Sequence, residues 1–249
     1  MFVTVCNSNY LIGFEVMLKS LVDNNPRVLK ENIPFKIISN DLTEEDLNVS
    51  KKIYPNLEII SFDEERYSRI TNLTPNKFIC TTYESYSKYE IFSLELEKII
   101  FLDSDTLILG NIDYLIDFKG DIGAVRDLYI DQYNTGVLVI NKKYIKKKIT
   151  DDLIDLTVRL GITEHLDQDI INQYFYEDIT EIPVSYNYLK TYSKKIFQNT
   201  NLPKHLRILH YIVKKPWQNK PLVSLEEGTI WQERYWFDYH TKTLKYRHD

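Results

Sequence analysis

The chain has 249 residues, 43% of them hydrophobic, which is enough for one large α/β domain or two small ones with a packed core. Its 36 acidic and 31 basic residues leave a net charge of -5, so it has neither the electrostatic footprint of a nucleic-acid binder nor a polybasic membrane anchor. Cys6 and Cys80 each stand in apolar company and are too few for a disulfide framework, so buried free thiols in a cytoplasmic, reducing compartment are expected.

In chain order, Phe2 to Cys6 is a short β-branched run that follows Met1 without a basic n-region or a cleavage site. No apolar run approaches the ~20 residues that span a bilayer. After the polar break Asn7-Ser8-Asn9, residues Phe14, Met17, Leu18 and Leu21 recur at helical spacing. Phe35 to Ser39 predicts a second strand, Thr43 with Glu44 and Glu45 in its first turn a helix, and Leu57 to Ile60 a third strand. Asn48-Val49-Ser50 and Asn72-Leu73-Thr74 match the glycosylation sequon, a pattern of little weight without a secretion signal.

Tyr83 to Glu97 contains no Gly or Pro and predicts a helix that delivers the chain into a strand at Ile99 to Leu102. Ile122 to Val125 and Gly136 to Ile140 read as further buried strands, and Asp167 to Tyr176 as a helix. Arg207 to Val213 reads as the last strand, and Leu225 to Tyr239 as an aromatic-rich terminal helix. The densest charge cluster, Lys142 to Lys148, reads as a solvated helix face. The 19 tyrosines fit a compositional bias of the source genome, although a few can line a sugar groove. Strands alternating with helices argue for a mostly parallel sheet covered on both faces, with ligands outside the carboxyl ends of its strands. No repeat, linker or composition break divides the chain, so a single domain is expected.

Asp103 and Asp105 follow four apolar residues at the carboxyl end of a predicted strand. In extended backbone, residues i and i+2 point the same way, so both carboxylates can face one small volume. Two carboxylates sharing a site repel, and a hard divalent ion, Mn²⁺ or Mg²⁺, relieves that repulsion while bridging to a diphosphate. Taken alone, Asp-x-Asp after a strand reads better as a polar turn. With only seven glycines and no glycine-rich phosphate loop, however, a bound nucleotide diphosphate would depend on metal and basic side chains.

The segment Phe101-Leu102-Asp103-Ser104-Asp105-Thr106-Leu107, with Asn111-Ile112-Asp113 behind it, closely resembles the signature of glycosyltransferase family 8, which includes glycogenins and bacterial lipopolysaccharide galactosyl- and glucosyltransferases. Further landmarks follow in order: Asn134-Thr135-Gly136 before a strand, Asp167-Gln168-Asp169 opening a helix, and His210-Tyr211 ahead of Lys215-Pro216-Trp217. The resemblance runs from Thr4 to about Trp217. It implies an α/β, GT-A-type (Rossmann-like) domain with a mostly parallel central sheet and helices on both faces. The nucleotide-sugar half would cover about residues 1–125, and the acceptor half with the C-terminal helical tail about 126–249.

The resemblance further implies transfer of a hexose, glucose or galactose, from a UDP-sugar to a glycan or other hydroxyl acceptor with retention of configuration. Asp103, Asp105 and His210 correspond to the metal ligands, and imidazole beside two carboxylates suits Mn²⁺. The loop Thr4 to Tyr10 matches the uracil-binding segment, with Cys6, Asn7 and the Tyr10 ring as contacts. Lys88 and Ser104 fall at donor-contacting positions, Asp127, Asn134 and Gly136 at the sugar-binding ones. Asp167 and Gln168 match the pair beside the anomeric carbon, and Lys215 the cation that neutralises the leaving diphosphate.

One departure stands out. The family pattern His-x-x-Gly-x-x-Lys is here His210-Tyr211-Ile212-Val213-Lys214-Lys215, one residue shorter and without the glycine, which leaves Lys214 and Lys215 as alternatives for the diphosphate. Gln168, an amide, suits positioning in a front-side reaction, whereas Asp167 is the alternative nucleophile of a double displacement. Three other readings compete: a glycogenin-like primer that glycosylates its own tyrosine, a non-catalytic nucleotide-sugar-binding module, and a sugar nucleotidyltransferase, which would need a glycine-rich N-terminal loop. The aromatic tail offers core packing first, with a homodimer contact or a peripheral membrane position as further uses.

Overall fold

The computed structural model describes residues 1–73, 85–192, 202–218 and 230–248. Its centre is a seven-stranded sheet in the order β3-β2-β1-β4-β7-β6-β8. The strands are β1 (Phe2–Val5), β2 (Phe35–Ile38), β3 (Leu57–Ile60), β4 (Lys98–Leu102), β6 (Ile122–Arg126), β7 (Tyr133–Asn141) and β8 (Ile179–Ile182). Strands β1 to β4 run parallel, β7 runs antiparallel to both of its neighbours, and β8 is again parallel to β6. Beside this sheet lies a three-stranded one, β5-β10-β9, made from β5 (Thr106–Ile108), β9 (Tyr188–Leu189) and β10 (Ile208–His210).

The two-residue period of a strand sends alternate side chains to opposite faces, and both faces here are apolar. Phe2, Ile100, Leu102 and Val137 pack on one side against Phe14, Met17, Leu18 and Leu21 of α1 (Leu11–Asn24). Val3, Ile99, Phe101 and Leu138 pack on the other against Leu153 and Ile154 of α2 (Lys147–Leu160) and Ile170 and Phe175 of α3 (Asp167–Phe175). A third cluster, around Leu107, Tyr188, Leu209 and Tyr211, is capped by Trp236 of α4 (Ile230–His248). No helix among the described residues is long and apolar enough to cross a membrane.

Several expectations are corrected. The helix predicted over Tyr83 to Glu97 is a 3-10 run at Ser87–Ser93, and the part before residue 85 lies outside the described residues. Ser87 to Phe92 are all buried, and Glu95 at φ 49° turns the chain out of any helix. At Thr43, side chains close a reciprocal turn instead: the Thr43 N–H donates to Asp46 Oδ2 at 2.8 Å and the Asp46 N–H to Thr43 Oγ1 at 3.3 Å. The helix itself is Asn48–Ile53. The strand expected to reach Val213 stops at His210, because the Tyr211 N–H turns to the Asp105 carbonyl at 3.0 Å.

The lysine run is not one helix face but a 3-10 turn, Lys142–Tyr144, and the start of α2, with Lys143 on Asp121 at 2.7 Å and Lys148 on Asp152 at 2.6 Å. The terminal helix is described from Ile230, so the part of its predicted range before that residue lies outside the described residues. Cys6 is buried as expected, while Cys80 lies outside them as well.

Candidate active site

Strand β4 delivers Asp103 to the carboxyl edge of the sheet. There the Asp103 N–H donates to the Gly136 carbonyl at 2.8 Å, and the Asp103 carbonyl accepts from the Thr106 N–H at 3.0 Å and the Thr106 hydroxyl at 2.8 Å. This turn swings the chain from the large sheet into β5. Because β10 pairs with β5 so that His210 faces Thr106, the imidazole arrives over the same turn. His210 Nε2 lies 3.1 Å from Asp105 Oδ1 and 3.7 Å from Asp103 Oδ2. One donor atom from each of Asp103, Asp105 and His210 lies within 4.8 Å of the others. Two carboxylates and an imidazole form a hard to borderline donor set that fits a divalent cation such as Mn²⁺.

The electrostatics are those of crowded, buried charge. Burial pushes the Asp103 carboxyl above its ordinary range, against the pull of Lys88. Burial acts the same way on Asp105, but His210 and Lys215 outweigh it and hold that carboxyl well below the usual range. The Lys88 ammonium is 3.0 Å from Asp167 and 3.3 Å from Asp103. Despite complete burial, these two carboxylates hold Lys88 above its usual value, so it stays charged. Lys215 contacts Asp105 Oδ2, donates to the Tyr211 carbonyl at 3.0 Å and lies over the Tyr10 ring. Lys214 is exposed, so of the two alternatives the structure brings Lys215 to the carboxylates. Between His210 and Lys215, Val213 sits at φ 67°, the left-handed region that favours glycine. The position where the family pattern carries glycine is thus held by a β-branched residue in a conformation that suits glycine.

A cleft of about 450 Å³ opens from this cluster and is lined by Cys6, Asn7, Tyr10, Asp41, Lys88 and Ser104 together with Asp103, Asp105, Asp167 and Lys215. Asn7 caps the turn into α1, its side chain accepting from the Tyr10 N–H at 3.1 Å, which fixes the ring at the cleft wall. Trp217 packs edge-on against that ring at 5.6 Å. Asp167 and Gln168 open α3, entered through Leu166 at φ 51°. Asp167 accepts from the Thr135 hydroxyl at 3.0 Å, and Gln168 Oε1 accepts from Asn134 Nδ2 at 3.0 Å. Gly136 is required by space: a Cβ there would lie 2.6 Å from His210 Nδ1.

Of the expected donor contacts, Thr4, Asp127, Asn134, Gly136, Gln168 and His210 are not among the residues that line this cleft, although His210 meets the lining residues Asp103 and Asp105. Thr4 is fully buried inside β1, its hydroxyl turned to the Val5 carbonyl at 3.3 Å. Asp127 is spent on its own loop, accepting from the Tyr129 N–H at 2.8 Å. Conversely, Asp41, Gln132, Thr135, Asn187 and Lys190 were not singled out by sequence. Asp41 had a signal, since it follows the carboxyl end of β2, where such sheets bind ligands. Asn187 had none, lying in an irregular stretch whose two-residue strand is too short to show a period.

Comparison with known proteins agrees with this geometry. Residues 2–220 match the family model described as "Glycosyl transferase family 8". The chain is 26% identical to lipopolysaccharide 1,2-glucosyltransferase of Escherichia coli, over 86% of this chain and 71% of that one. It is 28% identical to glycosyltransferase GlyF of Streptococcus pneumoniae, over 75% of this chain and 48% of that protein, so it spans about half of that relative. Among solved structures, the galactosyltransferase LgtC in complex with donor and acceptor sugar analogues superposes with a TM-score of 0.75 at 19% identity, covering 97% of this chain and 95% of that one. The architecture is therefore the GT-A fold, and the chain belongs to glycosyl transferase family 8.

Proposed function

We propose that this glycosyltransferase moves a hexose from a UDP-sugar to a hydroxyl of a glycan acceptor, with retention at the anomeric carbon and dependence on Mn²⁺ or Mg²⁺. The observation that carries this reading is the convergence of Asp103, Asp105 and His210 within 4.8 Å at the end of a cleft whose wall carries Asn7, Tyr10 and Lys215. Asp103, Asp105 and His210 would hold the ion, which when bound neutralises charge on the diphosphate. Tyr10, Asn7 and Cys6 form the uracil side of the cleft. Residues up to about 125 supply the nucleotide half, and those beyond it the acceptor half.

The chain's own residues then act by positioning and by fixed charge. Lys215, on the cleft wall beside Asp105, supplies the ammonium that would neutralise the departing diphosphate. Lys88 holds Asp103 and Asp167 at fixed separation, and so sets the sugar's pocket relative to the phosphate end. Gln168, already hydrogen-bonded to Asn134, presents an amide beside the anomeric carbon. Such a group orients a sugar hydroxyl or screens an oxocarbenium-like centre, but is a poor nucleophile, which favours front-side attack. Asp167 is the anion of the pair, but it already accepts from Thr135 and faces Lys88.

The test is UDP release from UDP-glucose and UDP-galactose with Mn²⁺, Mg²⁺ or chelator. Turnover with a divalent ion is expected, and the Asp105→Asn variant is expected to lose at least about a hundredfold, on the scale of removing a main electrostatic group. Equal turnover in chelator would sink the metal assignment. Intact-mass measurement after incubation with donor addresses self-glycosylation: external transfer leaves the mass unchanged.

A further inference from the structure

Six side chains form one directed line through the interior: Asp169, Gln132, Gln168, Asn134, Asn187 and His210. Gln132 Nε2 donates to Asp169 Oδ1 at 2.8 Å, Gln168 Nε2 to Gln132 Oε1 at 3.3 Å, and Asn134 Nδ2 to Gln168 Oε1 at 3.0 Å. Asn187 Nδ2 donates to Asn134 Oδ1 at 2.6 Å, and Asn187 Oδ1 lies 2.9 Å from His210 Nδ1. Gln168, Asn134, Asn187 and His210 are all buried, Asn187 completely.

The direction of this line is fixed independently at two points. A carboxylate only accepts, so Gln132 must aim its amide nitrogen at Asp169, and every amide after it must follow in the same sense. A backbone N–H only donates, and the Gly136 N–H reaches the Asn134 side chain at 2.9 Å, so the atom there is the oxygen. Asn187 approaches that same oxygen and must therefore donate to it, which leaves its own oxygen facing His210. Nδ1 is then the protonated ring nitrogen. Nε2 is then the ring nitrogen left to face Asp103 and Asp105, and it is the one free to give a lone pair to a cation.

We infer that Asn187 is a positioning residue that holds His210 in the Nδ1–H tautomer, aiming the Nε2 lone pair at a divalent cation between Asp103 and Asp105. This rests on the metal reading above. With Nδ1 committed to Asn187, Nε2 is the only ring nitrogen that a cation between the two carboxylates can take as a ligand. The same line makes Gln168, on the sugar side, a neighbour of the metal side through only two intervening amides.

The test uses ¹⁵N-histidine-labelled, metal-free full-length protein and long-range ¹H–¹⁵N NMR, followed by Mn²⁺ titration read by electron paramagnetic resonance. Wild type is expected to show His210 protonated at Nδ1. Asn187→Leu is expected to give mixed tautomers and a roughly 10–100-fold weaker Mn²⁺ affinity, the usual consequence of losing an outer-shell partner of a metal-binding histidine. Asn187→Asp keeps an acceptor at Nδ1 and is expected to retain the tautomer and most of the affinity. A purely space-filling asparagine would instead leave both variants alike. An Nε2–H tautomer in wild type, or unchanged Mn²⁺ affinity in Asn187→Leu, overturns the inference alone. A wild type that shows Nδ1–H but binds no Mn²⁺ overturns the metal reading, and the inference with it. The wild-type spectrum decides even if a variant fails to fold.

Discussion

Gly136 and Val213 show how single residues set the geometry around His210. At Gly136 the imidazole occupies the space of a side chain, so Gly136→Ala must push the ring off its line or distort β7. We expect that substitution to cost about 1–3 kcal/mol, the usual penalty of overpacking, and to weaken Mn²⁺ binding; thermal melts and metal titration measure the two effects. Val213 presents the opposite case, a β-branched residue held at φ 67° and largely exposed. Val213→Gly removes strain of the order of 1–3 kcal/mol but adds unfolded-chain entropy of about 0.5–1 kcal/mol. The expected net is a modest rise in Tm. The candidate ligands Asp103, Asp105 and His210 were legible through the ordered motifs of the family resemblance, and the structure brings the three together. Asn187 was not, because its role lies entirely in which atoms it touches.

At the level of elements, hydrophobic runs located all four parallel strands of β1 to β4, since strands buried on both faces have few polar interruptions. The pieces that period could not reveal were β5, β8 and β9, which are short or flanked by turns, and with them two of the three strands of the second sheet. That sheet nevertheless carries His210 to Asp103 and Asp105. Its outer strand leads directly to Lys190, whose N–H donates to the His210 carbonyl at 3.0 Å and whose ammonium contacts the Lys214 carbonyl. Gln232 of α4 donates to the Lys190 carbonyl at 3.1 Å, and the Tyr211 hydroxyl donates to the Gln232 carbonyl at 2.7 Å. Lys190→Met is therefore expected to loosen the Val213 turn and raise the Kd of UDP while leaving that of uridine, which lacks phosphates, unchanged. Calorimetry on both ligands measures this; equal weakening would point to general unfolding.

Across the whole molecule, α4 returns to α1 and closes the fold. Glu15 of α1 is 2% exposed, and burial pushes its carboxyl up to about 7 against the opposing pull of Arg247 from α4. A carboxyl raised in the folded state favours the protonated form, so its stabilising contribution is full below the ordinary carboxylate value and is lost as pH rises through about 7. Glu15→Gln should flatten that slope and raise Tm at pH 8 more than at pH 5, as melts across the pH range would show. Composition and alternation announced a two-faced α/β molecule. They were silent on this clasp, because an amphipathic helix does not reveal in its sequence which partner it covers.

The turn after β4 and the end of β10 bring three donor atoms within 4.8 Å of one another, yet about a hundred residues separate Asp105 from His210 along the chain. Closing so long a loop has an entropic cost, which the proposed ion would help to offset. During synthesis the two aspartates leave the ribosome long before the histidine. The nascent chain therefore holds only two of the three candidate donors until residue 210 has emerged. Under the proposed reading, the imidazole is the donor that turns a pair of hard carboxylates into a set favouring Mn²⁺.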